Sequence, residues 1–208
     1  NNVTMAKTSD LIQTTNRFEL NCLLIEASKN EHNDLIRILV KQHSISPTTH
    51  DEFGLQAIHH AAIAGHKSTT QLLINEFLVN PNELSTGKTS PLHHATCKGN
   101  IELAQLLISL GADPFYRSPI VGETLLHIAA MNGHHDMIKY YVNNIHLDIS
   151  LKNNDGFEPI LLAILYGHQN AIKTFSELGA EIGDTSPTNS FILDFAKRVG
   201  NILVINDI

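Results

Sequence analysis

The stretch that decides the fold runs from residue 122 to residue 142 and reads Gly122-Glu-Thr-Leu-Leu-His-Ile-Ala-Ala-Met-Asn-Gly-His-His-Asp-Met-Ile-Lys-Tyr-Tyr-Val142. Related stretches occur before and after it at a constant interval of 34 residues. Their aliphatic anchors, the residues just before the histidine position, are Leu24, Ile58, Leu92, Leu126 and Ile160. A fixed period of this length indicates an array of repeated structural units.

Further columns of the repeat indicate what each unit contains. Every anchor is followed by alanine three residues later and by glycine seven residues later, except that Glu31 replaces the first glycine. This spacing predicts two antiparallel helices of about ten residues that meet at the glycine, because glycine tolerates the positive φ of a helix end. A single helix pair cannot bury its apolar face alone, so neighbouring pairs must stack.

The composition excludes several classes of function. The formal net charge of −7 and the pI of about 6.0 argue against nucleic-acid binding, because phosphate contacts require a local excess of Lys and Arg. No apolar run approaches the roughly 18 residues of a membrane span, so we expect no membrane insertion. Cys22 and Cys97 form no disulfide framework or metal-ligand spacing, which favours a reducing compartment.

The 13 histidines raise the hypothesis of a metal site. Adjacent histidines on a helix point about 100° apart, and no His-Glu-x-x-His spacing occurs. Both observations favour a structural role for the histidines over a metal site. A catalytic thiol at Cys97 is the weaker interpretation, since its repeat equivalents supply no suitable base. The sequence predicts no metal, no cofactor and no enzymatic activity.

Three motifs in the repeats point to a known family. They are Thr89-Ser-Pro-Leu-His-His-Ala95, Gly122-Glu-Thr-Leu-Leu-His-Ile-Ala-Ala130 and Gly111-Ala-Asp113. With these motifs the chain resembles the ankyrin repeat family over residues 18–208. The tetratricopeptide repeat has a similar period but fits poorly, because its Trp and Tyr positions are missing. The resemblance implies an all-α ankyrin-repeat solenoid of stacked helix-turn-helix units with finger loops along one edge. It also implies that His59, His93 and His127 occupy the family's histidine column, where they make hydrogen bonds near the helix N-termini and tie neighbouring repeats together.

The resemblance divides the chain into an N-terminal arm, residues 1–17, and a repeat domain, residues 18–208. The predicted repeats cover 18–50, 51–84, 85–118, 119–152 and 153–186, and a partial C-terminal cap covers 187–208. Since the family period is about 33 residues, we expect one additional residue in each inter-repeat loop. The fifth repeat has Glu158 for Thr, Leu161 for His and Ile164 for Ala, so its capping network should be weaker.

In ankyrin-like stacks, variable residues collect at the fingertips and on the outward face of the inner helices. The candidate partner-binding residues are Glu52, Phe53, Leu55, Ile63, Lys98, Ile120, Val121, Glu123, Met131, Asn132, Asp155, Phe157, Leu165 and Tyr166. The apolar members that lie in loops are not explained by core formation, and an apolar strip with a polar rim suits a protein partner. The alternative is that some of them pack beneath the fingers.

The sequence therefore predicts a monomeric, intracellular protein-interaction module, cytoplasmic or nuclear, that binds a protein or peptide through a concave groove and finger loops. One alternative is a targeting or substrate-recruiting domain of a larger multidomain enzyme, since the chain begins at Asn1 and stops at Ile208 within a helical pattern. Another is an effector that a bacterium translocates into the cytoplasm of a host cell, suggested by the frequent Asn and Ile of AT-rich genomes.

Overall fold

The computed structural model describes residues 16–180 and contains, within that range, ten α-helices arranged as five helix pairs. The inner helices are α1 (Arg17–Lys29), α3 (Ala57–Ala64), α5 (Pro91–Cys97), α7 (Leu125–Met131) and α9 (Pro159–Leu165). The outer helices are α2 (Asn33–Lys41), α4 (Lys67–Asn75), α6 (Ile101–Ser109), α8 (His135–Asn143) and α10 (Gln169–Glu177). The predicted all-α helix-turn-helix repeat architecture is confirmed.

Most of the predicted N-terminal arm and the whole of the partial C-terminal cap lie outside the described residues. Helix α1 begins at Arg17, one residue before the predicted boundary of the repeat domain. Its N-terminus is capped by Asn16, whose side-chain oxygen accepts a hydrogen bond from the Glu19 amide at 3.0 Å. Between residues 16 and 180 no helix is long and apolar enough to cross a membrane.

The helix ends follow the local signals in the sequence. Gly65 ends α3 in the left-handed conformation, with φ 83°, and its amide bonds back to the last turn of the helix. Pro91 and Pro159 are the first residues of α5 and α9, where the missing amide hydrogen costs no helical bond. Thr124 is the N-cap of α7.

The described chain divides into two compact units, one ending at Pro91 and the other beginning at Leu92. In the first unit α1 to α4 enclose an aliphatic core. Its members include Leu20, Leu24, Ala27, Ile36, Leu39, Ile45, Ile58, Ala61, Leu72, Leu73 and Val79. The alanines allow inner helices to approach closely, while each buried leucine or isoleucine contributes on the order of 2 kcal/mol by leaving water.

The core of the second unit combines aliphatic residues with a buried tyrosine. Tyr141 on α8 has no exposed surface, and its hydroxyl lies 2.5 Å from the Thr96 hydroxyl on α5. Since Thr96 donates its own proton to the Leu92 carbonyl at 2.8 Å, Tyr141 is the donor of this bond. A buried polar pair is thereby satisfied within the apolar layer.

Three of the five pairs carry their additional residue at the end of the outer helix. In these pairs the residues Ser44, Leu78 and His146 adopt positive φ of 53°, 54° and 60°. The backbone amide of the next residue donates a hydrogen bond to the carbonyl six residues earlier, as from the Val79 amide to the Leu73 carbonyl at 3.0 Å. The other two pairs have a glycine at the equivalent turn, Gly111 or Gly179. There the amide of the next residue donates to the carbonyl five residues earlier.

The third repeat has the shorter ending, and its additional residue lies instead in the loop that follows. There the Ser118 amide bonds to the Glu123 carbonyl at 3.0 Å, a separation of five residues. The equivalent closing bonds elsewhere, such as Asp51 to Leu55 at 3.1 Å, span four residues. The expected extra residue is thus present in the four connections that lie within residues 16–180, but it occupies two different places.

Candidate protein-binding surface

Four hairpin-like loops precede the inner helices, and each is closed by a backbone hydrogen bond between its ends. We name them finger A (51–55), finger B (85–89), finger C (118–123) and finger D (153–157). Fingers A and B belong to the first unit, and fingers C and D belong to the second. Lys88 in finger B adopts positive φ of 58°, where the other three fingers have glycine.

Fingers A and D are held by a short polar side chain at their first residue. In finger A, the Asp51 carboxylate accepts hydrogen bonds from the amides of Phe53 and Leu55, both at 2.9 Å. In finger D, the Asn153 side-chain oxygen accepts from the amides of Asp155 at 3.1 Å and Phe157 at 2.9 Å. These bonds fix the loop conformation before any partner arrives. We did not predict them from the sequence, although an Asp or Asn three residues before glycine is a recognisable turn signal.

Successive fingers within a unit are joined to each other. In the first unit, the Thr86 amide donates to the Phe53 carbonyl at 3.2 Å. In the second, Asn154 donates through its backbone amide to the Val121 carbonyl at 3.0 Å and through its side chain to the Ile120 carbonyl at 3.2 Å. Gly122, with φ 70°, permits this approach, because a Cβ there would lie 2.8 Å from the Asn154 amide nitrogen.

The predicted role of the histidine column is confirmed for His59 and His127. The Nδ1 atom of His127 accepts a hydrogen bond from the Thr124 amide at 3.1 Å, and Nε2–H donates to the Phe157 carbonyl of the next finger at 2.9 Å. His59 makes the same two bonds, from the Gln56 amide and to the Glu83 carbonyl. Each ring therefore links the start of its helix to the following loop.

Burial keeps these imidazoles neutral. His127 is fully buried, and loss of hydration lowers its pKa to about 4. Burial also lowers the pKa of His93 to about 4, and this ring packs edge-on against Tyr116 with ring centroids 5.2 Å apart. Both nitrogens of His59 and His127 are engaged in protein hydrogen bonds. In the described part of the chain, no three His, Cys, Asp or Glu side chains come together as a metal site would require.

A second set of histidines follows the helix-ending glycines, where the sequence indicates only a turn. Each donates from Nε2 to a carbonyl at the end of the preceding inner helix. The bonds run from His66 to Lys29 at 2.9 Å, from His134 to Cys97 at 2.8 Å and from His168 to Met131 at 2.8 Å. These bonds join consecutive repeats, a role that the sequence interpretation missed because the partner lies 37 residues away.

In the fifth repeat, the capping network is weaker, as predicted. Glu158 is the N-cap of α9 but makes no side-chain hydrogen bond to the helix. Its carboxylate lies 3.6 Å from the Lys152 ammonium instead. Leu161, which replaces the histidine, is buried and contributes only to packing.

The candidate residues of the first unit lie on finger A and at the end of α3. Glu52 and Phe53 are exposed, and Phe53 presents 61% of its surface to solvent. Leu55 and Ile63 are half-buried. Beside them His60 is almost buried, with Nε2 at 2.9 Å from the Asp51 carboxylate. This contact ties finger A to α3.

The candidate residues of the second unit lie on fingers C and D and on the inner helices α5, α7 and α9 or directly after them. The exposed ones are Lys98, Ile120, Asn132, Asp155 and Tyr166, and the half-buried ones are Val121, Glu123, Met131, Phe157 and Leu165. Ile120 and Tyr166 expose 64% and 56% of their surfaces. None of the ten is buried, so all of them are accessible to a partner.

Some exposed apolar residues were not among the sequence candidates. Phe18, Leu78 and Phe115 expose 75%, 85% and 64% of their surfaces. Ile128 was also missed: it is half-buried and lies one helical turn before Met131, so the two share a face of α7. The sequence candidates on the inner helices lie only at or close to the helix C-termini, so this earlier position was overlooked.

The comparison with known proteins agrees with this geometry. A family model described as ankyrin repeats (3 copies) matches residues 24–118 and 116–186. The chain is 30% identical over 86 residues to Alpha-latrocrustotoxin-Lt1a of Latrodectus tredecimguttatus, which covers 41% of this chain and 6% of that protein. It is 31% identical over 80 residues to Putative ankyrin repeat protein R96 of Acanthamoeba polyphaga mimivirus, which covers 38% of this chain and 8% of that protein.

The chain thus spans less than a tenth of the length of either relative. The family model, in contrast, extends over most of the chain and reaches all five described helix pairs. This chain belongs to the ankyrin repeat family.

Proposed function

We propose that the chain binds a protein or peptide partner through its fingers and inner helices. Ankyrin repeats generally serve as protein-protein interaction modules and are typically non-enzymatic. The observation that carries the proposal is the exposure of large apolar side chains, Phe53, Ile120 and Tyr166, on elements whose cores are complete without them. Apolar residues of this size contribute strongly to binding when a partner removes them from water.

The construction of the fingers supports the same proposal. Asp51 and Asn153 fix fingers A and D internally, and Asn154 joins finger D to finger C. A loop that is already ordered loses little conformational entropy when it binds. The exposed apolar side chains on these ordered loops are the part left for recognition.

Substitution by alanine tests the proposal. We expect the variant Phe53→Ala, Val121→Ala, Met131→Ala and Tyr166→Ala to lose most of the partner captured by the wild-type chain, measured by affinity pull-down and mass spectrometry. Circular dichroism should show unchanged helical content, because none of the four side chains is buried.

The matched control replaces four exposed residues of the outer helices by alanine, Gln71, Gln105, Asn170 and Lys173. It should retain capture. If the first variant captures the same partners as wild type, or if only the control loses them, the surface is wrongly assigned.

A further inference from the structure

We propose that the partner of the second unit is a peptide segment in which an arginine or lysine stands next to apolar residues, with the cation held between Glu123 and Asp155. This inference rests on the proposed function and specifies the chemistry of the ligand. It follows from three features of fingers C and D: carboxylates on two adjoining loops, the engagement of the neighbouring cations elsewhere, and exposed apolar side chains in the same loops.

The hydrogen bonds between the fingers bring the residues that carry the two carboxylates onto adjoining loops. Asn154 bonds to the carbonyls of Ile120 and Val121, and its amide nitrogen lies within contact distance of Gly122. Glu123 follows Gly122 directly, and Asp155 follows Asn154. The acids are therefore brought together by backbone contacts that do not depend on their own side chains.

The nearby cations do not neutralise this pair. Arg117 directs its guanidinium to the Gly122 carbonyl at 3.2 Å and to the Lys152 carbonyl at 2.6 Å. The Lys152 ammonium lies 3.6 Å from Glu158. Across residues 16–180, neither Glu123 nor Asp155 forms an ion pair, so no ion pair compensates their two negative charges.

The electrostatics of Glu123 agree with this arrangement. Its side chain is half-buried, and the loss of hydration raises its pKa, with a further contribution from the negative charge of Asp155. A cation bound near both carboxylates would offset this repulsion. Binding therefore relieves an unfavourable interaction in addition to forming a new one.

Apolar side chains flank the acids and select the rest of the ligand. Ile120, in the same finger as Glu123, exposes 64% of its surface, and Val121 and Phe157 are half-buried. The long stem of an arginine or lysine covers such surface while its charged end reaches a carboxylate. An apolar residue next to the cation would cover Ile120, which gives the surface a preference for mixed basic and apolar segments over purely basic ones.

Selection from a random peptide display library tests the inference, because the library presents every ligand chemistry equally. The wild-type chain should enrich peptides with Arg or Lys beside Leu, Ile, Val or Phe. For a peptide chosen from that set, the double variant Glu123→Gln and Asp155→Asn should raise Kd at least tenfold, as measured by fluorescence anisotropy. Kd of the wild-type complex should also rise steeply with salt concentration, because the attraction is between exposed charges.

The control variant Asp136→Asn and Glu177→Gln removes the same charge from the outer helices and should leave Kd unchanged. Enrichment of neutral or acidic peptides, failure to enrich any peptide, or equal binding by both double variants would overturn the inference. If enriched peptides depend on Met131 and Tyr166 but not on Glu123 and Asp155, only the inference fails. If they depend on none of these residues, the proposed function fails as well.

Discussion

Replacing His127 by glutamine should change how the stability of the protein depends on pH. The ring is fully buried, accepts a hydrogen bond at Nδ1 and donates one at Nε2, an arrangement that only the neutral imidazole can make. Its folded pKa of about 4 lies below the value of about 6.5 expected in the unfolded chain. The unfolded chain therefore binds more protons between these two values, and stability falls as the pH falls through that window.

The size of the effect follows from the two pKa values. Near pH 5 the unfolded imidazole is almost fully protonated and the folded one is almost fully neutral. The wild-type protein should thus lose about 2 kcal/mol through His127 alone between pH 7.5 and pH 5. The variant His127→Gln should not lose this stability, because glutamine does not titrate. It should be less stable than wild type at pH 7.5 by about 1–3 kcal/mol, because glutamine cannot reproduce the geometry in which the imidazole accepts from the Thr124 amide and donates to the Phe157 carbonyl at once.

Urea denaturation at both pH values measures this difference. We expect the destabilisation caused by His127→Gln to shrink by about 2 kcal/mol at pH 5. The control Leu126→Ala removes a buried neighbour that does not titrate, at a cost of about 2–5 kcal/mol. That cost should be the same at both pH values. A pH-independent effect of His127→Gln would show that the folded protein does not hold this ring neutral.

Two further substitutions test the backbone of the connections. Leu78 is 85% exposed and has φ 54°. The substitution Leu78→Gly should raise the free energy of unfolding by about 0.5 kcal/mol, because glycine adopts this left-handed conformation without strain. A loss of stability would mean that the Leu78 side chain contributes packing. Gly122→Ala should destabilise by about 1–3 kcal/mol more than Gly156→Ala, because both positions have positive φ but only Gly122 faces Asn154 closely. Equal melting temperatures for these two variants would refute the contact between fingers C and D.

The helix pairs and many of their ends could be predicted from the sequence because their causes are local. Within a helical segment, Pro91 and Pro159 fit only in the first turn, and Gly65 readily adopts the backbone conformation that ends a helix. Neither signal depends on the surrounding structure. The alanine and aliphatic columns define the buried faces for the same reason. The hydrogen-bonding role of His59 and His127 was also predictable, since it recurs at the repeat period.

Features that depend on contacts between repeats could not be obtained in this way. The period of 34 residues shows that an extra residue exists, but Leu78 and finger C accommodate it in different backbone conformations. The bonds from His134 and His168 join a turn to a helix of the preceding repeat, so no local pattern reveals them. The degree of exposure of Ile120 likewise depends on the neighbouring finger.

Hydrogen–deuterium exchange mass spectrometry tests the central claim, that the fingers and inner helices form the binding surface, most directly. The chain is measured alone and with a bound peptide selected from the random library. We predict slower exchange in fingers C and D and in helices α7 and α9, with unchanged exchange in the outer helices α8 and α10. Slower exchange confined to α8 and α10 would contradict the account.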